Sequence, residues 1–298
     1  MKKTTIRTAF ILVVLAISLS SFGQGIYFGI GGGYGFAAGK SGVNGFNSTN
    51  YTSSFVQGPT SYTSTSTVTN VKYSFGSGVP IGLYGGYMFT KNIGAELGIG
   101  YLVGGKNTFT NNQSQTFGNA TSTDNTTETL KGHMMRITPA IRIQVGEDKL
   151  QPYMTAGLII GMAAGITDET VEVKSNAGSP VKTYDDIWTY SGGMSIGFHG
   201  ALGVNYMISD KLGIFGELTG NYMNWAPSKK VLSTSTLNGA DQLSQKTTDQ
   251  KETDFSSSYT TTSGTPTNTG NAQVSSPVYA PFSSFGLTIG VHISLGGK

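Results

Sequence analysis

The 298-residue chain contains no cysteine. That excludes disulfides and thiolate metal centres, and it excludes a lipid anchor on a cysteine after an export signal. Charge is also scarce, at 12% of residues. No apolar run reaches the ~20 residues that a membrane-spanning helix needs. A helical integral protein is therefore excluded, but strands that are apolar on one face only are not.

The formal net charge of +3 is largely an export feature. Lys2, Lys3 and Arg7 precede an apolar run, Ala9 to Leu19, and Ser21-Phe22-Gly23 sets small residues three and one before Gln24. This is the layout of a cleaved secretory signal, so residues 1–23 are expected to be removed and 24–298 to form one barrel domain. The chain has 19 basic and 16 acidic residues; three of the basic ones and none of the acidic ones lie in 1–23, which leaves 16 of each sign. No basic excess remains to suggest nucleic acid.

What the chain has is strict alternation, the period of a strand with two unlike faces. Ile26, Phe28 and Ile30 alternate with glycines. Val79, Ile81 and Leu83 alternate with Pro80, Gly82 and Tyr84, and Ile93 to Val103 repeats the pattern after the turn Thr90-Lys91-Asn92. Further segments lie at 135–145, 152–165, 195–208, 212–222 and 285–295. The fifth is the least regular, because Leu158, Ile159 and Ile160 interrupt it; Met154, Ala156, Leu158, Ile160 and Met162 are assigned outward. Eight strands follow, joined alternately by long and short connections. The long ones, near 40–75, 105–130, 167–190 and 226–280, are rich in Ser, Thr, Asn and Gly and are expected to be irregular, since each alone buries little apolar surface. Four charges fall well inside these strands, Glu96, Arg136, Arg142 and Glu217, all opposite the aliphatic face. An arginine facing lipid at the bilayer centre costs ~2–4 kcal/mol, so the polar face is the interior. The pattern predicts an all-β, transmembrane, antiparallel up-and-down barrel of eight strands, with four long outer loops and three short periplasmic turns.

The chain resembles the OmpA/OmpX-like outer-membrane β-barrel family over nearly all of 24–298. The resemblance rests on Lys91-Asn92-Ile93-Gly94-Ala95-Glu96-Leu97, on Lys211-Leu212-Gly213-Ile214-Phe215-Gly216-Glu217-Leu218, on Gln151-Pro152-Tyr153-Met154-Thr155-Ala156-Gly157 and on the closing strand Phe285 to Leu295. It implies the barrel domain without a peptidoglycan-binding domain, a place in the bacterial outer membrane, and contact with lipid, lipopolysaccharide and the barrel assembly machinery. Many members end on an aromatic residue; this chain ends Leu295-Gly296-Gly297-Lys298.

Candidate chemistry is thin. Gly35-Phe36-Ala37-Ala38-Gly39-Lys40-Ser41 is one residue short of a phosphate-binding loop and precedes no helix. Glu96, Glu217, Arg136 and Arg142 are expected to form one lumenal ion-pair network, with a gated pore as the alternative. His199 and His292 are expected to be lumenal polar groups, and His133 lies on a third strand. His292 with Ser294 is the only pairing that hints at a lipid-modifying enzyme, and no histidine spacing suggests zinc. Neither a cofactor nor a metal is expected, nor an enzyme. Tyr34, Tyr87, Phe89, Tyr101, Tyr206, Tyr222, Trp225 and Phe285 fit interfacial girdles, with a carbohydrate-stacking role weighed for Trp225 and Tyr259. The expected function is a structural or surface-interaction role, in which long polar loops contact an extracellular protein or glycan.

Overall fold

The computed structural model describes residues 25–38, 46, 49–59, 62–146, 149–258 and 270–295. The expected signal segment, Lys40, Ser41 and Tyr259 lie outside them. Eight strands carry the architecture: β1 (Gly25–Ala37), β2 (Gly78–Met88), β3 (Ile93–Phe117), β4 (Ala120–Gln144), β5 (Leu150–Ser175), β6 (Ser195–Met207), β7 (Leu212–Tyr222) and β8 (Ser284–Ser294). Each pairs antiparallel with the next. β8 returns to pair with β1, Phe28 opposite Ile293 and Phe36 opposite Phe285, so the eight form a closed ring.

The alternation divides the ring's two faces as expected. Ile30, Leu83, Ile99, Ile141, Phe198, Leu218 and Ile289 are exposed on the outside, while Tyr27, Arg142, Tyr153, Phe215 and His292 are buried within. On β5, Met154 and Leu158 face outward and Ile159 is buried, in line with the assigned orientation. The irregularity there has a local cause. The β4–β5 register shifts between His133 and Met135, and Ala163 takes a positive φ of 46°. Such a bulge re-aims the chain where ring becomes extension.

The long connections depart from expectation. They are largely strand. β3 and β4 keep pairing past the ring from Lys106↔Lys131 to Phe117↔Ala120. β5 continues to Ser175 against the strand Lys182–Ser191, which in turn pairs with Lys229–Leu237. On the other side Thr49–Gln57 runs parallel to the upper part of β3, and Tyr62–Asn70 folds back on it. Composition misled because each loop was weighed alone. Packed side by side, the loops satisfy one another's backbone groups, and they share an apolar interior of Phe109, Leu130, Ile166 and Tyr190.

Two segments then fold across the ring's mouth. Phe75 and Phe282 pack with centroids 5.5 Å apart, and Tyr73 sits edge-on to Phe109 at 5.1 Å. The Ser74 hydroxyl donates to the carbonyls of Pro281 and Ser283 at 3.0 and 2.6 Å, tying the β1–β2 connection to the β7–β8 connection. Trp225 meets Phe282 edge-on and donates Nε1–H to the Gly192 carbonyl at 3.0 Å. Gly192 and Gly193 both hold positive φ, near 75°, a conformation that lets this carbonyl turn inward. Trp225 is fully buried; it is a mouth-filling core residue, neither a girdle member nor an accessible stacking platform. The other seven girdle candidates do lie on the ring's outer side, and Tyr34, Phe89, Tyr101, Tyr206, Tyr222 and Phe285 are exposed there.

Replacing Trp225 by Ala removes a buried aromatic, a change that costs about 3–5 kcal/mol. The loss should fall on the mouth. Limited proteolysis is expected to cut within 226–280 in W225A, while unheated protein still migrates on detergent gels as the compact folded form.

Candidate functional site

The ring's interior is the candidate site, and it is stacked in three levels. An eight-strand ring is just wide enough for side chains to fill, so large groups need small ones opposite. At the short-turn end this is met by glycine. A Cβ on Gly29 would fall 2.1 Å from the Tyr84 ring, one on Gly86 2.2 Å from Tyr27, and one on Gly203 2.3 Å from Tyr153. Each tyrosine lies over a neighbouring strand's glycine, so the glycine-rich face of β1 and the aromatics elsewhere form a single packing device.

That device holds Arg142, whose side chain is 1% exposed. Its Nη1 donates to Glu96 Oε2 at 2.9 Å and its Nε to Gln144 at 3.3 Å. The guanidinium carbon lies 3.6 Å from the Tyr153 ring centre and 5.0 Å from that of Tyr27. Tyr27 also donates to Glu96 Oε2 at 3.1 Å. The buried charge is thus paired and stacked, as a desolvated ion requires, while Nη2 has no hydrogen-bond partner among the described residues. Beside it Tyr84 Oη and His292 Nδ1 are 3.2 Å apart.

Above this layer lies a cavity of about 150 Å³ lined by Tyr84, Glu96, Arg136, Thr138, His199 and Glu217, among others. Its wall at β2–β3 is bare backbone, because Gly82, Gly98 and Gly100 present no side chain, and the outer-face residues Ile81, Leu83 and Ile99 contribute to its lining. Glu217 accepts from the Tyr153 hydroxyl at 2.9 Å. His199 Nδ1 lies 2.8 Å from Asn221 Oδ1. The third level is the aromatic mouth described above.

All four expected lumenal charges point inward, but they do not form one network. Arg142 and Glu96 pair. Glu217 takes a tyrosine. Two guanidinium nitrogens of Arg136, Nε and Nη2, have no hydrogen-bond partner among the described residues. The expectation failed because facing a common lumen does not fix height along it. In the register Arg142 lies opposite Gly94 and Arg136 opposite Gly100, six residues apart along β4. His199 and His292 stand beside different neighbours, Asn221 and Tyr84.

Two features were missed. Tyr27 stands on the glycine face of β1, opposite Ile26 and Phe28, and its parity alone would have found it. The second lies in the extension, where Lys230 Nζ sits 4.2 Å from the Trp188 ring centre and 5.0 Å from that of Tyr190. Burial pushes its pKa below the ordinary 10.5, opposed by the nearby charges of Asp168 and Glu128. Burial likewise raises Tyr190. Assigning 167–190 and 226–280 to irregular loops concealed this cluster. Among the described residues no group of His, Asp and Glu is arranged to hold a metal ion.

A family model described as outer membrane protein beta-barrel domain matches residues 9–247. Among solved structures, the outer membrane protein OprG from Pseudomonas aeruginosa is similar, with 12% identity, a TM-score of 0.41, and coverage of 93% of this chain and 98% of that one. No curated protein matches the chain.

Replacing Glu96 by Gln should strip Arg142 of its counter-ion and cost about 3–5 kcal/mol, the price of one partner lost from a buried pair. The apolar double replacement E96L/R142M should recover most of that loss. Urea-driven unfolding in lipid, followed by gel mobility, checks both.

Lys230 predicts a pH effect. Its pKa is lowered on folding, so between its folded value and 10.5 the unfolded chain binds more protons, and stability rises with pH across that window. With W225F leaving Trp188 as the single tryptophan, Trp188 fluorescence should show an inflection below pH 10.5 that K230M abolishes.

Proposed function

The chain belongs to the outer membrane β-barrel domain family, and from that premise we propose a plugged, eight-stranded, membrane-spanning barrel that presents a folded β-sheet to the cell exterior for contact with an extracellular protein or glycan. The observation that carries this reading is the filled lumen. Arg142, Glu96, Tyr27, Tyr84 and Tyr153 occupy one level, and Phe75, Phe282 and Trp225 close another. A barrel closed at two levels is suited to holding something up, and the long-connection end is where this chain invests its extra strands. The apolar outer face suits lipid and the acyl region of lipopolysaccharide, and insertion is assigned to the barrel assembly machinery.

The sheet supports the exterior role by its surface. On the strand Tyr62–Asn70, residues 63–70 are all exposed, and this edge carries Thr63, Thr65, Thr67 and Thr69 with no charged residue. Hydroxyl-rich, uncharged strands that stay soluble on the neighbouring sheet are suited to reversible polar contact rather than to a buried interface.

Recording across planar bilayers should give no unitary conductance from the wild-type protein; steady single-channel steps would favour the gated-pore alternative. Exchanging 49–70 for a short Gly-Ser link should leave the gel-mobility shift intact and reduce attachment of expressing cells to protein- or glycan-coated surfaces. Unchanged attachment on every such surface would count against the contact role. No loss of lipid A integrity is expected in S294A, because no enzymatic role is assigned to His292 and Ser294.

A further inference from the structure

The sheet outside the ring has two edges, and the chain treats them differently. At one end the last strand, Gln273–Ser275, is three residues long. The strands next to it carry Lys229, Lys230, Glu252 and Asp254, and a register shift falls between Leu232 and Thr234. A short strand, charges and a bulge all guard an edge against a second sheet adding on. At the other end the last strand is Tyr62–Asn70, nine residues long. It pairs with Thr49–Gln57 along its whole length without a bulge. It contains no proline and no charge, and residues 63–70 are all exposed. Among the described residues no strand lies on its other side, so one row of backbone donors and acceptors is left for water or for another strand.

The sequence of that edge indicates which strand. Turned end for end about Ser66, it matches itself: Thr63 falls opposite Thr69, Thr65 opposite Thr67, and Ser66 opposite Ser66. The four threonines share one face, and Thr–Thr pairs across an antiparallel ladder are favourable. The other face sets Ser64 against Val68, and nowhere do like charges meet. Two copies related by a two-fold axis make contact through the same patch on each, which is what a self-matching strand supplies.

Direction places the second copy. β3 runs out of the ring, Thr49–Gln57 runs parallel to its upper part, and Tyr62–Asn70 therefore runs back toward the ring. A strand antiparallel to Tyr62–Asn70 runs away from the ring. The copy's own Tyr62–Asn70 points at its own ring, so that ring lies on the far side, in a facing membrane. The height of the edge allows this. Ser66 pairs with Ser53, which is level with Gln113, seven residues beyond Lys106, where the extension begins. At ~3.3 Å per residue, Ser66 stands roughly 23 Å above that root. The β3–β4 tip at Phe117 is four residues further out, so the copy's tip reaches only about 13 Å down past Ser66 and stays clear of the ring.

We propose that Tyr62–Asn70 is a homotypic docking strand, through which this protein pairs antiparallel with a second copy in a facing outer membrane, about a two-fold axis at Ser66. The proposal rests on the reading that the sheet serves contact outside the cell, and it names the partner. One such ladder is a small contact, so attachment comes from many barrels acting together.

The test uses full-length protein in phosphatidylcholine vesicles, with clustering followed by turbidity. Wild-type vesicles should cluster increasingly as protein density rises, and protein-free vesicles should not. At the axis the Cβ atoms of the two Ser66 residues are set about 4.5–5.5 Å apart, so S66K and S66D each place like charges against themselves. Each variant alone should cluster severalfold more slowly at low salt. Mixing S66K vesicles with S66D vesicles should restore clustering, and two dyes on the two populations should show mixed aggregates. Gel mobility checks that both variants fold. Dispersed wild-type vesicles, S66K vesicles that cluster like wild type, or a mixture no faster than either variant alone would each overturn the homotypic pairing. In that event, cells that still attach to protein- or glycan-coated surfaces keep the exterior-contact reading, so the two fail separately.

Discussion

Everything in this molecule follows from closing eight strands on themselves. Closure removes both sheet edges, which a bilayer demands because unpaired backbone groups have no water there. It also fixes the diameter, and an interior of that width has no room for side chains at every inward position. The chain resolves this by pairing extremes. Tyrosine faces glycine at Tyr84–Gly29, Tyr27–Gly86 and Tyr153–Gly203, where a single added carbon would lie within 2.1–2.3 Å of a ring atom. The aromatic rings then supply the surroundings in which Arg142 can be buried. Without the glycines the tyrosines do not fit, and without the tyrosines the arginine loses the rings against which it stacks.

The same strands that close the ring also leave it. β3, β4 and β5 are each 25 or 26 residues long, far more than the ~9–11 that cross a bilayer. Their surplus forms the middle of the sheet outside the ring, and shorter strands add to either side. The bulges at Val103/Lys106 and His133/Met135 mark the transition. Above them the inward face no longer closes on itself, and its apolar residues are covered by Tyr73, Phe75, Trp225 and Phe282 folding back across the mouth. Extension and plug are therefore one construction: the segments that close the barrel are the roots of the connections that build the sheet.

The ring was legible because its signal is local and binary. Alternation gives parity, parity gives faces, and four charges on one face identify the interior; even the irregular β5 was oriented correctly from Met154 and Leu158. What escaped was everything that depends on height or on partners distant in sequence. Arg136 and Arg142 share a strand and a face, so parity cannot tell them apart, and only the register places one against Glu96 and the other beside a cavity. The extension escaped for a related reason. Stretches such as Thr121-Ser122-Thr123-Asp124 bury little when weighed singly, and their stability comes from pairing with Gln113 to Thr116 and with Lys174 and Ser175. Trp225 was misassigned because an aromatic just past a strand end fits a girdle as well as a plug; the left-handed glycines at 192 and 193, more than thirty residues away, separate the two.

The two arginines on β4 therefore show how one physical rule yields different outcomes at two heights. A buried guanidinium must have its donors met and its charge opposed. At Arg142 the protein meets most of that demand from its own side chains, with Glu96, Gln144 and two rings, and leaves Nη2 without a partner among the described residues. At Arg136 nothing among the described residues accepts from Nε or Nη2, Glu217 accepts from Tyr153, and the positions opposite across β3 and β2 are Gly100 and Gly82. A Cβ at Gly100 would lie 3.2 Å from the Ile81 carbonyl oxygen, a contact tighter than ordinary packing that the strand backbone would have to relieve. The interior is thus closely packed around Arg142, and among the described residues it leaves donors of both arginines unmet.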